Sequence, residues 1–212
     1  MRGVRGPQKQ TQNWATFLKN HASTIWACDF VQTFDAFFRP IFAFFIVKHD
    51  SREVVHFNVT RSPTDAWVAQ QLREATPYGE GPKYLIRDND DKYGQLFAAV
   101  AEGAGTRVIR TAYQAPLMNA ICERFLGSLR RECLDHVLVL GEDPMRRVIG
   151  EYCRYFNRIR PHQSLGQRTP SAVAAGNEAG LDPGAPEVDR GSGKIIALPV
   201  LGGLHHDYRW AA

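Results

Sequence analysis

The length of 212 residues, with 44% hydrophobic residues, supports one sizeable buried core with appendages rather than two equal domains. The 26 Lys and Arg outnumber the 22 Asp and Glu and give a net charge of +4, which permits a polyanionic partner without requiring one. No apolar stretch approaches the roughly 18 residues of a membrane span, and no apolar signal core follows the N-terminus, so we expect a cytoplasmic protein with no membrane partner.

The composition changes along the chain and predicts four parts. Residues 1–13 are basic and polar and form a flexible lead-in. Residues 14–170 carry regular apolar patterns, so they contain the core domain together with the helix that follows it. Residues 171–194 are rich in Gly, Pro and Asp and lack periodicity, which predicts a linker or mobile loop. Residues 195–212 begin with an apolar run, and we expect this tail to dock on the core or on a partner.

Three segments rich in β-branched and aromatic residues predict a meander of three strands. These segments span residues 24–31, 41–47 and 54–59. The residues Ser62-Pro63-Thr64-Asp65 then begin a helix, and apolar residues recur at helical spacing until Pro77-Tyr78-Gly79 ends it.

Strands and helices alternate along the next part of the chain. The predicted elements are a strand at 83–87, a short helix at 94–102, a strand at 107–110, a long helix at 119–136 and a further helix at 143–157. The order βββαβαβα predicts an α/β fold in which helices flank a mixed five-stranded sheet.

Three acidic residues stand at unusual places in this pattern. Asp29 lies inside the first apolar strand, where an unpaired carboxylate costs several kcal/mol unless it is hydrogen-bonded or bound to a metal. Asp88 ends the fourth strand and opens the run Asp88-Asn89-Asp90-Asp91, which either forms a polar turn or holds a hard cation. Glu123 lies near the start of the long helix, where the helix dipole also favours an acid. Each acid has an ordinary structural explanation alone, but the three together favour a shared site.

Basic residues follow these acids along the chain. Arg130 lies seven residues after Glu123, about two helical turns, and therefore on nearly the same face of the helix. Such clusters are often solvated surfaces, but beside an acidic metal site they favour contacts with phosphate groups. The residues predicted to make such contacts are Asn119, Arg124, Arg130, Arg131, Arg158, Arg160 and His162.

The order of elements and the positions of the acids resemble the ribonuclease-H-like integrase core, the D,D,E catalytic domain of bacterial insertion-sequence transposases and retroviral integrases. The resemblance covers roughly Trp14 to Pro170. The motifs that carry it are Trp26-Ala27-Cys28-Asp29-Phe30, Arg87-Asp88-Asn89-Asp90-Asp91-Lys92-Tyr93, Asn119-Ala120-Ile121-Cys122-Glu123 with the basic helix after it, and Asn157-x-x-Arg160-Pro161-His162-x-x-Leu165.

The resemblance implies a Mg²⁺-dependent polynucleotidyl transferase that cleaves DNA and joins its strands during integration or transposition. In that family Asp29, Asp88 and Glu123 would be the catalytic residues and would hold two Mg²⁺ or Mn²⁺ ions. The implied partners are the transposon ends, the target DNA and further copies of the chain, at least a dimer on DNA. The enzyme would then associate with the nucleoid when it acts.

Two departures from the family pattern leave alternatives open. The family usually has Asp-Arg-Gly at the second acid, whereas this chain has Asp88-Asn89-Asp90, so Asp90 is a rival ligand by position. Nothing in the chain resembles the family's N-terminal helix-turn-helix or zinc-binding region, so we expect either a fragment or target recognition supplied elsewhere. The alternative functions are a metal-dependent nuclease of the same fold and a catalytically silent DNA-binding remnant.

Overall fold

The computed structural model describes residues 13–111, 119–176 and 194–211. Five strands form a mixed sheet in the spatial order β3-β2-β1-β4-β5. These strands are β1 (Ile25–Phe34), β2 (Pro40–Lys48), β3 (Val54–Thr60), β4 (Tyr84–Arg87) and β5 (Arg107–Arg110). The helices are α1 (Trp14–His21), α2 (Asp65–Ala75), α3 (Gln95–Gly103), α4 (Ala120–Glu132), α5 (Glu142–Arg158) and α6 (Pro170–Ala174). The predicted α/β class with a flanked five-stranded sheet is confirmed.

The sheet changes direction at β1. This strand pairs antiparallel with β2 and parallel with β4, and β4 pairs parallel with β5. Because β1 is central, both of its faces are covered by helices. Ala27 and Val31 lie in the apolar cluster that includes α4 and α5, whereas Cys28 lies in the cluster that includes α2 and α3. Side chains alternate along a strand, so Asp29 shares the face of Ala27 and Val31 and is directed towards α4.

The helix boundaries differ from the predicted ones in three places. α1 precedes the sheet and was not predicted. The long helix ends at Glu132, because Cys133 (φ −139°, ψ −67°) leaves helical geometry, and a single 3₁₀ turn spans Leu134–His136. α6 falls partly within the segment predicted as a linker. The rest of that linker, residues 177–193, and the lead-in up to residue 12 lie outside the described residues.

The C-terminal residues form a hairpin of β6 (Ile195–Val200) and β7 (His205–Trp210), which was predicted only as an apolar tail. The hairpin contacts α4 and α5. The backbone N–H of Leu201 donates to Glu151 at 2.6 Å, and the His205 ring donates to the Glu132 carbonyl at 2.7 Å. The same ring stacks on Tyr155 with centroids 4.6 Å apart.

None of the helices in the described parts of the chain is both long enough and apolar enough to cross a membrane.

A carboxylate from α2 fixes the start of α3. The N-cap residue of α3 is Gly94, which has no side chain to satisfy the first backbone N–H groups. Asp65 supplies the missing acceptors: Oδ1 accepts from Gly94 at 3.0 Å and from Phe97 at 2.9 Å, and Oδ2 accepts from Leu96 at 2.8 Å. The two helices on this face of the sheet are therefore joined by one side chain.

We expect Asp65→Ala to lower the free energy of unfolding by about 1–3 kcal/mol, because three backbone donors lose their acceptor. Chemical denaturation measures this loss. The matched control is Glu102→Ala, which removes an exposed carboxylate from the end of α3 and should change stability by less than about 0.5 kcal/mol. Equal effects of the two substitutions would contradict the bridging role of Asp65.

Candidate active site between β1, β4 and α4

Asp29 is partly buried in the middle of β1 and has no cationic partner among the described residues. Within the described ranges, its Oδ1 accepts from the backbone N–H of Phe30, at 2.7 Å. The pKa of Asp29 is raised to about 7, mainly by burial and additionally by the charges of Asp88, Glu123 and Asp90, while the bond from Phe30 opposes the shift. The carboxylate therefore lies within the field of three other acids.

Asp35, which directly follows β1, is a buried acid whose charge is balanced by neighbouring arginines. Its side chain is buried and accepts from Arg61 at 2.7 Å and from Arg39 at 2.8 Å. Burial alone would raise the pKa of Asp35, but these guanidinium groups and the backbone N–H donors of Arg39 and Phe37 hold it well below its usual range. Asp29 lacks such partners, so a purely structural role does not explain it.

Asp88 directly follows β4, beside Asp29. The last parallel pair between these strands is Cys28 with Arg87, so the next residue on each strand is one of the two acids. Neighbouring strands lie about 4.8 Å apart, which brings both carboxylates to one edge on the face covered by α4. Burial raises the pKa of Asp88, and the charge of Asp90 adds to the effect.

Asp90 is engaged differently, although it lies only two residues further on. Its carboxylate forms an ion pair with the Lys92 ammonium and also accepts from the Lys92 backbone N–H at 2.9 Å. Burial alone would raise the pKa of Asp90, but the bonds from Lys92 lower it. The Lys92 ammonium lies over the rings of Phe30 and Phe42, 5.4 and 5.3 Å from their centroids. These contacts favour Asp88 over Asp90 as the carboxylate available to a ligand.

Glu123 is the exposed acid in the first turn of α4. The helix buries its other face through Cys122, Phe125, Leu126 and Leu129 and so packs on the sheet beside β1. Because α4 packs on the face of the sheet that carries Ala27 and Val31, Glu123 lies on the same side as Asp29, and its charge helps to raise the pKa of Asp29. In the described part of the chain, no three His, Cys, Asp or Glu side chains stand in a group tight enough to hold a metal ion.

Comparison with known proteins finds a matching family model and two relatives from insertion elements. Residues 104–170, which include Glu123, match the family model of the integrase core domain. An insertion element IS476 uncharacterized 39.2 kDa protein from Xanthomonas euvesicatoria is 32% identical over 151 residues, which are 71% of this chain and 44% of that protein. An insertion element IS407 uncharacterized 31.7 kDa protein from Burkholderia multivorans is 27% identical over 161 residues, 74% of this chain and 57% of that protein. The chain thus spans about half the length of these relatives.

Solved structures share the fold at low sequence identity. A simian T-cell lymphotropic virus intasome in complex with PP2A regulatory subunit B56 gamma has a TM-score of 0.60 and 16% identity, over 90% of this chain and 67% of that chain. The HTLV-2 integrase catalytic core domain in complex with magnesium has a TM-score of 0.57 and 14% identity, over 71% of this chain and 95% of that chain. The BIV integrase catalytic core domain has a TM-score of 0.56 and 17% identity, over 74% of this chain and 97% of that chain.

The family-model match over residues 104–170, the insertion-element relatives and the shared fold together support a ribonuclease-H-like integrase core domain. The resemblance drawn from the sequence motifs is therefore confirmed, and so is the predicted fold. The assignment of individual site residues stays a prediction that rests on the geometry of this integrase core.

Asn119 was predicted to begin the long helix and to contact DNA. It occupies the N-cap position, but its side chain makes no capping hydrogen bond. The amide nitrogen instead points back to β1, 3.4 Å from the Cys28 carbonyl and 3.5 Å from Oδ2 of Asp29. Its Oδ1 is buried without a partner among the described residues. Asn119 therefore connects the start of α4 to the carboxylate on β1, and its contact with DNA stays a prediction.

The predicted basic residues divide into exposed and internally bonded groups. Arg124, Arg130, Arg131 and Arg158 are exposed, and Arg130 donates to the Gln32 carbonyl at 3.1 Å. Arg160 donates to Glu132 at 2.7 Å, and the buried His162 ring bonds the Phe156 carbonyl at 3.2 Å. Burial lowers the pKa of His162. The Arg160-Pro161-His162 motif thus has a packing role in the integrase core, and its predicted contact with DNA stays untested.

Arg87, at the end of β4, was not predicted from the sequence as a site residue. Its side chain is buried on the opposite face of the sheet from Asp88 and stacks on the Tyr93 ring, 4.8 Å from the centroid. It donates to the backbone carbonyl of Asp88 at 2.8 Å. The arginine therefore holds the backbone where the second acid leaves the sheet. In the sequence, the position of Arg87 between an apolar strand and an acidic turn could have indicated this role.

The raised pKa of Asp29 predicts how the stability of the metal-free integrase core depends on pH. An unfolded Asp titrates near 3.8 and Asp29 near 7, so the native state binds more protons between these values. Ionised Asp29 destabilises the fold above this window, and the fold gains stability as the pH falls through it. We expect Asp29→Asn to reduce this gain, as measured by urea denaturation in EDTA between pH 5 and 8.

Asp91→Asn is the matched control, because Asp91 is an exposed acid of the adjacent turn. It should leave the pH dependence as it is in the wild type. If Asp29→Asn and wild type show the same gain in stability on acidification, the carboxylate is not in the repulsive environment described above.

Proposed function

We propose that the chain is the catalytic core of a DNA transposase or integrase, which cleaves a phosphodiester bond and joins a 3′-hydroxyl end to target DNA. One observation carries the proposal. The parallel pairing of β1 and β4 sets Asp29 and Asp88 side by side on the face covered by α4, the helix that carries Glu123. The matches to insertion-element proteins and the shared fold with retroviral integrase cores support the same assignment.

The donor set fits a hard divalent cation. All three side chains offer carboxylate oxygens, which Mg²⁺ and Mn²⁺ prefer, and two of them have a pKa raised by burial and by neighbouring acids. Bound cations would relieve this repulsion. We propose that Asp29, Asp88 and Glu123 hold two Mg²⁺ or Mn²⁺ ions, as the magnesium complex of the HTLV-2 core also suggests. Two such ions activate an attacking oxygen and stabilise the departing one in phosphoryl transfer.

The chain's own residues prepare the carboxylates for this role. Lys92 pairs with Asp90 and so offsets part of the negative charge that Asp90 places beside Asp88. Arg87 fixes the backbone of Asp88, and Asn119 lies against Asp29. The exposed arginines Arg124, Arg130 and Arg131 on α4 flank Glu123 and offer the charge that a phosphate backbone requires. Two partly buried acids and the exposed Glu123 thus lie next to a positively charged helix.

DNA is the proposed substrate, as both transposon end and target, and further copies of the chain are the proposed protein partners. The similar solved structures include an intasome and a trimeric and a dimeric form of an integrase core, which supports assembly in general terms. We propose at least a dimer when the chain is bound to DNA.

We expect Asp29→Asn, Asp88→Asn and Glu123→Gln each to abolish cleavage and joining, by at least about a hundredfold, while the fold and most of the DNA affinity remain. The assay uses supercoiled target plasmid, Mn²⁺ and labelled duplexes that carry the terminal sequences of the element and a free 3′-hydroxyl. Joined product identifies strand transfer, whereas hydrolysis alone identifies a nuclease of the same fold.

The control for the second acid is Asp90→Asn, which removes the acid paired with Lys92 and should retain measurable joining. Normal rates for Asp88→Asn together with an inactive Asp90→Asn would show that the second ligand is Asp90. A wild-type protein that binds DNA but neither cuts nor joins it would identify a catalytically silent remnant.

A further inference from the structure

A basic pocket lies beside α4, between the β2–β3 turn and the chain that follows α5. Its volume is about 510 Å³. Apolar side chains form part of its wall, and none of the described residues that line it is acidic. The lining residues are Val47, Arg52, Ile121, Arg124, Phe125, Ser128, Phe156, Arg160, Pro161, His162, Gln163, Ser164 and Gln167. We call this cavity the Arg52 pocket.

Arg52 lines this pocket and also has an unsatisfied buried donor. Its Nε is shielded from solvent and finds no acceptor among the described residues, where Arg52 also forms no ion pair. The residue has a positive φ of 64°, a conformation that favours Gly or Asn. A guanidinium is thus placed at a strained turn position without a partner in the described structure. A guanidinium that lines a cavity and has no ion-pair partner among the described residues is available to an anion that enters the cavity.

A second guanidinium reinforces the positive charge of the pocket. Arg124, the residue after Glu123 on α4, is exposed and has no ion-pair partner in the described ranges. Burial lowers the pKa of Arg52, and the charge of Arg124 lowers it further. The third arginine of the lining, Arg160, is already paired with Glu132. Two uncompensated guanidinium groups therefore act on one cavity.

The remaining lining groups are suited to an anion with an organic group attached. Ser128, Gln163, Ser164 and Gln167 add hydroxyl and amide donors at the wall, whereas Phe125 and Phe156 offer an apolar surface. A cavity of this volume exceeds the needs of a single phosphate and leaves room for part of the nucleoside that carries it. Guanidinium groups bind phosphate oxygens through paired, charge-assisted hydrogen bonds.

The pocket adjoins the carboxylate site. A smaller cavity of about 180 Å³ is lined by Asn119 and His49 and shares Arg124 and Ile121 with the Arg52 pocket. Asn119 lies 3.5 Å from Asp29. Successive residues of a helix are about 100° apart around its axis, so Arg124 reaches a different side of α4 from Glu123. A phosphate in the pocket would therefore belong to a nucleotide near the reacting one, not to the reacting one itself.

We propose that the Arg52 pocket binds a backbone phosphate of the DNA substrate, with Arg52 and Arg124 as its ligands. This inference deepens the proposed function, because it identifies a nucleotide-binding subsite beside the catalytic carboxylates. Arg52 lies about 70 residues before Arg124 in the sequence, and only the packing of the β2–β3 turn against α4 brings the two together.

The first test measures the anion site without DNA. Inorganic phosphate is titrated into the ¹⁵N-labelled chain in EDTA, at constant ionic strength with chloride, while the arginine Nε–H signals are followed. We expect saturable shifts of the Arg52 signal in the wild type and binding at least about tenfold weaker in Arg52→Gln. Arg73→Gln is the matched control, because Arg73 is exposed on α2 across the sheet and should leave the titration unchanged.

The second variant separates binding from folding. Asn suits a positive φ better than Arg does, so Arg52→Asn should melt no lower than wild type while it loses phosphate binding. A lower melting temperature with unchanged phosphate binding would show that Arg52 serves the fold only and would overturn the proposal.

The third test distinguishes DNA from free phosphate as the source of the anion. Affinity for duplex DNA is measured in EDTA over a range of salt concentrations, and we expect Arg52→Gln to reduce the log–log slope by about one unit. An unchanged slope would overturn the assignment to DNA even if phosphate alone binds. None of these binding measurements requires catalysis, so the pocket and the proposed reaction can fail separately. If the wild type joins DNA but Arg52→Gln leaves the salt slope unchanged, the pocket assignment is wrong and the proposed reaction stands. If Arg52→Gln lowers the slope but the wild type does not join DNA, the proposed reaction is wrong and the pocket assignment stands.

Discussion

The parallel pairing of β1 with β4 is the interaction on which the site depends. It sets two carboxylates in register at one sheet edge, and like charges at that spacing repel one another in a partly buried environment. The fold tolerates this arrangement because the rest of β1 is well packed between two apolar layers. The elements around the edge limit the repulsion without removing it: Lys92 pairs with Asp90, and Arg87 restrains the backbone at Asp88. Neighbouring carboxylates without a cationic partner are typical of a site that binds a metal cation.

The comparison of Asp29 with Asp35 shows how the same strand distinguishes two roles. Asp35 is more deeply buried, yet Arg39 and Arg61 satisfy it and stabilise the β1–β2 turn. In the part of the chain that the structure describes, Asp29 accepts from one backbone N–H and lies 3.5 Å from one side-chain amide. The same contrast recurs among the bases of this part, since Arg160 is paired with Glu132 whereas Arg52 and Arg124 form no ion pair. Charged groups left unpaired by the fold therefore lie around one end of α4.

Much of this arrangement could be predicted from the sequence, because it follows from local patterns. The apolar runs predicted all five strands of the sheet, and an acid inside the run at Asp29 indicated a special role. Helix ends were harder, because the chain leaves α4 at Cys133 through backbone torsions that no composition signal marks. Asn119 could be predicted as an N-cap residue by type, but its side chain turns to β1 instead, which depends on the docking of α4 against the sheet.

The contacts between distant segments could not be predicted from the sequence. In the sequence, Arg52 resembles an ordinary solvated residue of the β2–β3 turn. It comes close to Arg124 only because this turn packs near α4 in the folded chain. The bonds of Arg160 and His162 likewise depend on the meeting of α4 and α5. The C-terminal apolar run indicated docking, whereas the hairpin and its stacking of His205 on Tyr155 required the folded chain.

The central claim is that Asp29, Asp88 and Glu123 act together as a cation site that the fold leaves uncompensated. The most direct measurement is the thermal unfolding of wild type and Glu123→Gln with Mn²⁺, compared with a monovalent salt of equal ionic strength. Wild type should gain up to about 2.7 kcal/mol of stability at a free Mn²⁺ concentration about 100 times the Kd. Glu123→Gln should melt no lower than wild type without metal and should lose most of the Mn²⁺ response. A variant that melts well below wild type without metal but keeps the full Mn²⁺ response would contradict the claim, because Glu123 would then serve the fold and not the cation.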